Sequence, residues 1–283
     1  MKIIADSHLH STFSSDGKNS IKEMAFSAIE KGIKTITFTD HVDIDYPICP
    51  NPQTGKVEIF NKLNIDEYRK ALTALQVEFC NRLQILIGVE TGLQPNTSIH
   101  SRTKDFTDRL NPDFIIASTH CACGQVLAPY SFFKDRTRDE AYRKYLEEVL
   151  ANLSMTDNYD TAAHLDFVER YYPAENVEEK LLKYEDFADV IDEILLTLIR
   201  KDKALEINTA GIRYGLGVPH PSQRILLRYK ELGGKLSTIG SDAHRATDIA
   251  ADFETVAQYL LDAGFKEYCV FENRKPRLLA FGK

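Results

Sequence analysis

The strongest constraint on the fold is an alternation that runs the length of the chain. Short apolar or β-branched runs at 2–5, 34–39, 84–89, 114–119, 159–163, 204–208 and 235–239 read as strands. Between and after them, stretches at 21–31, 65–82, 103–110, 138–152, 183–200, 221–232 and 249–263 carry helical spacing or helix signals. Ser20 with Glu23 three residues on fits a capping box, and Pro221 reads as a first-turn residue. Strand then helix, repeated about seven times, predicts a parallel sheet, either open or closed into a barrel. A further short strand is expected at 268–271, and the Pro- and Asn-rich stretch at 42–63 reads as a long functional loop.

What the strands end in decides between the two sheets. His8, His41, Glu90, His120, His164 and Asp242 each fall just past a different predicted strand. An open sheet would spread such ends over roughly 25–30 Å, at about 4.8 Å per strand, whereas a closed barrel brings them to one face. The expectation is therefore an α/β fold, a distorted (β/α)7 barrel, occupying residues 1–283 as one domain.

Composition narrows the function by exclusion. A net charge of −7 argues against a nucleic-acid or membrane-surface binder, which would need an excess of Lys and Arg. The N-terminus shows no secretory apolar region, and no apolar run approaches the length of a membrane span. A cytoplasmic location is expected. The five cysteines are scattered, which points to reduced thiols, and Cys121 and Cys123 lack the second pair that a thiolate zinc site requires.

Six of the eight histidines, namely His8, His10, His41, His120, His164 and His244, sit at strand ends. In an extended segment, His8 and His10 share a face and can grip one ion. With Asp16, Glu90 and Asp242 they make nine candidate ligands. That is too many for one catalytic ion, which holds about three protein ligands and an open position. Two or three divalent transition-metal ions sharing a carboxylate are expected, and imidazole with carboxylate suits zinc, iron or manganese alike.

His8-Leu-His10, Asp16, Thr39-Asp-His41, Glu90, Ser118-Thr-His120, His164-Leu-Asp166 and Asp242-Ala-His244 together resemble the motifs of the PHP (polymerase and histidinol phosphatase) superfamily. The stretches 164–170 and 208–213 are most similar to its histidinol-phosphate phosphatases. The resemblance implies a trinuclear site. His8, His10, Glu90 and Asp242 would hold the first ion, Glu90, His120 and His164 the second, and Asp16, His41 and His244 the third. It also implies hydrolysis of L-histidinol phosphate to L-histidinol and phosphate.

The chemistry suits such a site on physical grounds. A dianionic phosphate monoester repels hydroxide, and clustered cations both cancel that charge and lower the pKa of water, so a metal-bridging hydroxide is the expected nucleophile. Asp242 or His244 is the candidate donor of a proton to the leaving alkoxide. Arg170 and Arg213 are candidate contacts to the phosphate, because a guanidinium fork matches phosphate oxygens. Asp43 and Asp45 are candidate contacts for an amine on the small phosphorylated substrate. Two alternatives stay open: a PHP phosphoesterase for another small ester, and a metal-dependent amidohydrolase. The sequence leaves the oligomeric state open.

Overall fold

The computed structural model describes residues 2–47, 63–128 and 131–282. Most of the long loop read at 42–63 lies outside them. In chain order the elements are β1 (Ala5–Leu9), α1 (Ile21–Glu30), β2 (Thr35–Phe38), β3 (His41–Asp43), α2 (Ile65–Phe79), β4 (Gln84–Gly92), α3 (Thr97–Leu110) and β5 (Phe114–Ser118). A small ribbon, β6 (Cys121–Ala122) and β7 (Gln125–Val126), precedes α4 (Arg138–Met155) and β8 (Thr161–Ala162). There follow α5 (Val177–Lys180), α6 (Ala188–Arg200), β9 (Ala204–Asn208), α7 (Ala210–Arg213), α8 (Gln223–Glu231), β10 (Ser237–Gly240) and α9 (Phe253–Asp262). A terminal hairpin is made of β11 (Glu267–Glu272) and β12 (Lys275–Ala280).

Seven strands pair in the order β1-β2-β4-β5-β8-β9-β10, all in parallel, with β3 as a short extra strand beside β4. A parallel bridge between Leu9 and Ala243 joins the two ends of that order, with His10 N–H donating to the Ala243 carbonyl at 2.9 Å. The sheet is thus a barrel with seven main strands, as the convergence argument required. The helices pack their apolar faces around it; Ile191, Ile194, Leu195 and Leu198 of α6 are completely buried.

Two strands run further than their apolar cores. β1 continues through Asp6 and His8, and β4 through Glu90 and Thr91, so His8 and Glu90 lie within strands rather than just beyond them. Buried polar side chains extend a strand when each finds a partner, and Asp6 does so by accepting from the backbone N–H groups of Ser241 and Ala250, both at 2.9 Å. A register shift between Asp6 and Leu9 lies where β1 delivers His8.

Other boundaries also move. The capping box at Ser20 and Glu23 is present as read. Pro221, however, does not start a helix: the His220–Pro221 peptide is cis, and α8 begins two residues later after Ser222. The last strand belongs to an antiparallel hairpin rather than to the parallel barrel. Cys269 and Phe271 from that hairpin pack with Phe114, Ile116, Ala163 and Ala204, sealing the barrel end opposite the histidines.

Candidate metal centre

Every sequence-predicted ligand reaches one cup at the carboxyl ends of the strands. Glu90 is its centre. Its Oε2 lies 3.3 Å from His8 Nε2, 3.3 Å from His10 Nε2 and 3.0 Å from His41 Nδ1. Its Oε1 lies 3.0 Å from both His120 Nε2 and His164 Nε2. One carboxylate therefore faces two groups of imidazoles with different oxygens. Asp242 Oδ1 stands 3.3 Å from His10 Nε2 and 3.7 Å from His8 Nε2. On the outer side Asp16 Oδ2 is 3.0 Å from His244 Nε2 and 3.6 Å from His41 Nε2. His10 lies stacked between His41 and His244, with ring centroids 4.2 and 4.1 Å away.

A second layer of side chains turns these imidazoles. His8 Nδ1 donates to Glu206 Oε1 at 2.6 Å, and His120 Nδ1 to Asp43 Oδ1 at 2.7 Å. His10 Nδ1 meets Ser14 Oγ at 3.2 Å, and that hydroxyl donates to Asp40 Oδ1 at 2.7 Å. His244 Nδ1 donates to the Asp242 carbonyl at 3.0 Å. With Nδ1 so engaged, each of these rings presents Nε2 to the cup, the arrangement that metal-binding histidines adopt. Glycine is required behind two of them. A Cβ at Gly240 would fall 2.3 Å from His8 Cβ, and one at Gly92 would fall 1.8 Å from Asp43 Oδ1.

The backbone is also held unusually here, with Asp242 at φ 52° and His164 at φ 21°. Non-glycine residues occupy that region at a cost, which functional sites often bear.

Electrostatics follow from crowding charges in a buried space. Burial pushes His10 down, and the neighbouring His244 and His41 rings push the same way, to about 3. Burial opposes a proton on His120 too, but the Asp43 and Glu90 carboxylates outweigh it and carry the ring up to about 10. His8 and His41 are likewise raised well above the ordinary imidazole value; burial opposes this, and Glu206, Glu90 and Asp242 for His8, and Glu90, Asp16 and Asp43 for His41, win. Burial alone would raise Glu90 and Asp242, yet the surrounding imidazoles hold both well below the usual carboxylate range.

This donor set fits divalent ions. His8 Nε2 and His10 Nε2 approach to 3.1 Å, both aimed into the cup. Glu90 Oε2 and Asp16 Oδ1 are buried without a hydrogen-bond partner, a costly state for a carboxylate. Neutral imidazoles with carboxylates and no thiolate are the ligands of zinc, iron or manganese. Cys121 and Cys123 stand apart from these clusters as free thiols.

The remaining candidates divide. Arg213 ends α7 and its Nη2 donates to the carbonyls of Ser241 and Asp242, at 3.0 and 2.9 Å, beside the cup. Arg170 lies in a 3-10 turn at Phe167–Tyr171, over the ring of Phe167, which in turn stacks on His164 at 4.3 Å. Of the two candidate amine contacts, Asp43 supports His120 through Oδ1, and Asp45 pairs with Arg102. Sequence reading missed Glu206 and Asp43 as imidazole supports. The one signal for Glu206 was a charge inside the apolar strand Ala204-Leu-Glu-Ile-Asn.

The PHP domain family matches residues 6–210, which carry all but two of the nine cup residues. The chain belongs to the PHP family. Among its PHP relatives, the histidinol-phosphatase of Lactococcus lactis subsp. lactis is 32% identical over 95% of both chains. A protein of Clostridium acetobutylicum named probable histidinol-phosphatase is 30% identical over 96% of this chain and 98% of its own. A crystal structure of the Lactococcus lactis histidinol phosphate phosphatase, complexed with zinc, L-histidinol and phosphate, superposes with a TM-score of 0.86. It covers 96% of this chain and 98% of that one at 32% identity. The distorted barrel expected from the alternation of elements is therefore the PHP fold.

Proposed function

We propose that this chain is a histidinol-phosphatase, a metal-dependent phosphoric monoester hydrolase that converts L-histidinol phosphate to L-histidinol and phosphate in histidine biosynthesis. One observation carries the reading. A cup built around the two oxygens of Glu90 occurs in a chain alike over 96% of its length to a phosphatase whose structure holds zinc, L-histidinol and phosphate. His8, His10, Glu90 and Asp242 would hold one ion, Glu90, His120 and His164 a second, and Asp16, His41 and His244 a third. Bound divalent ions supply charge neutralisation for the phosphate and a water of lowered pKa.

The chain's own groups do the rest. Glu206 and Asp43 fix the tautomers of His8 and His120, so that lone pairs rather than N–H bonds face the centre. Arg213 keeps a buried Nη1 without a protein partner, and with Arg170 it binds the phosphate oxygens. Asp242 and His244 are the groups proposed to pass a proton to the leaving alkoxide; the imidazoles around Asp242 hold its carboxylate ionised, so Asp242 would relay a proton rather than store one.

No described helix is long and apolar enough to cross a membrane, and a cytoplasmic enzyme acting on a small diffusible ester is part of the same proposal. The test is phosphate release by purified protein loaded in turn with zinc, manganese or iron(II), with metal content measured on the same sample. Histidinol phosphate should be turned over at least about a hundredfold more efficiently, by kcat/KM, than a generic aryl phosphate, a gap of about 2.7 kcal/mol. Equal turnover of many monoesters would move the reading to a broad PHP phosphoesterase, and cleavage of cyclic amides would replace it with an amidohydrolase.

A further inference from the structure

Arg170 is an unusual cation. Among the described residues it has no hydrogen bond and no ion pair, only rings. Its guanidinium carbon lies 3.2 Å from the centroid of Tyr214, with Tyr171 at 5.4 Å and Phe167 at 5.6 Å. At 3.2 Å from a centroid the group has to lie over the ring face. Arg213 approaches the same Tyr214 ring, at 5.4 Å, but is anchored otherwise, by two carbonyls and by Asp248 Oδ2 at 3.6 Å. Tyr214 itself is 45% exposed, a large ring left near water with no core to fill.

These facts have one economical explanation. A carboxylate partner would hold Arg170 but would also neutralise it and occupy its donors. A ring face attracts the cation through its quadrupole and leaves the N–H edges free. The same ring, set beside both guanidinium groups, lessens the repulsion of bringing two cations to one anion. We propose that Tyr214 is a positioning residue: its ring holds Arg170, which has no hydrogen bond or ion pair among the described residues, across from the anchored Arg213, so that both cations meet one phosphate group. The inference rests on the phosphomonoesterase reading of the cup and adds to it the residue that sets the spacing of its two arginines. Without the Tyr214 ring, Arg170 keeps only the more distant Tyr171 and Phe167 rings, and more of its rotamer entropy is lost on every binding event.

The experiment compares Tyr214→Ala, Tyr214→Phe, Arg170→Ala and the double variant Arg170→Ala/Tyr214→Ala, each zinc-loaded with equal metal content. It reads KM, kcat and the inhibition constant of inorganic phosphate, and it measures phosphate binding directly by calorimetry. Tyr214→Ala should raise KM and weaken phosphate binding about tenfold with kcat within about twofold, as expected for loss of one well-placed cation–ring contact. Tyr214→Phe should stay within about twofold of the parent, since the ring and not the hydroxyl acts. In the Arg170→Ala background the Tyr214→Ala change should add nothing.

The same loss in both backgrounds, or an equal loss in Tyr214→Phe, overturns the proposal. So does a silent Tyr214→Ala where Arg170→Ala weakens phosphate. If Arg170→Ala leaves phosphate binding intact, the phosphate role of Arg170 fails and this inference with it. Failure to turn over histidinol phosphate, with the phosphate results as expected, counts against the substrate alone.

Discussion

The carboxylates behind the imidazoles matter as much as the ring nitrogens in front. His8 Nδ1 donates to Glu206 Oε1, while Glu206 Oε2 accepts from the backbone N–H of His164 and from Asn208 Nδ2, at 3.0 and 3.1 Å. Glu206 therefore ties two cup histidines from different strands to a third strand. Glu206→Gln keeps the size of the side chain but removes the charge that makes the His8 ring a stronger ligand. Metal affinity, read by competition with a chelator, should weaken about tenfold or more, the usual effect of losing such a support. Unchanged affinity would reduce Glu206 to a space filler. Residue types alone marked the nine cup groups, because histidines at strand ends are conspicuous in a sequence. Glu206 and Asp43 were not legible in the same way: nothing in a strand's alternation states which buried acid an imidazole will meet.

At the scale of elements, what was legible follows from local physics and what was missed follows from tertiary contacts. The capping box at Ser20 and the apolar stripe of α6 are local, and both were readable. β3 exists only because His41, Val42 and Asp43 pair with Glu90, Thr91 and Gly92, and β12 only because it pairs with β11. The hairpin is more than a trailing end. In its turn, Asn273 and Arg274 N–H donate to Asp113 Oδ1 and its carbonyl, at 3.1 and 2.8 Å, and Arg274 Nε donates to Asp160 Oδ2 at 2.5 Å. Asp160 Oδ2 also accepts from the Ile115 N–H at 2.8 Å. These bonds bolt the hairpin to the barrel end remote from the cup. Asp160→Ala would leave a buried N–H and a partly buried guanidinium without their acceptor. A loss of about 2 kcal/mol is expected as a lower urea midpoint, with KM and kcat unchanged. A fall in kcat with no change in stability would contradict the separation of the two barrel ends.

The molecule as a whole is a ring of strands whose ends carry opposing charges, and that makes ion binding a property of the entire barrel. Cup residues come from β1, β3, β4 and from the segments after β1, β5, β8 and β10, so an ion held there ties together elements far apart in sequence. In the metal-free cup, protons on His8, His41 and His120 balance the carboxylates; His120 keeps its proton up to about pH 10, whereas His10, pushed down to about 3, has none to give at neutral pH.

An imidazole must be neutral to bind a metal, so loading expels protons from the three raised rings, and a falling pH opposes it. The sign is fixed: between pH 8 and 6 apparent affinity drops as pH drops, by up to about tenfold per unit for each proton released. Since a ligand at about a hundred times its Kd adds about 2.7 kcal/mol to stability, metal should raise the thermal midpoint clearly at pH 8 and much less at pH 6 at the same concentration. Acid released into a weakly buffered indicator on zinc addition gives the proton count independently. A thermal shift equal at both pH values, with no acid released, would mean that the raised histidines are not the groups that receive the ions.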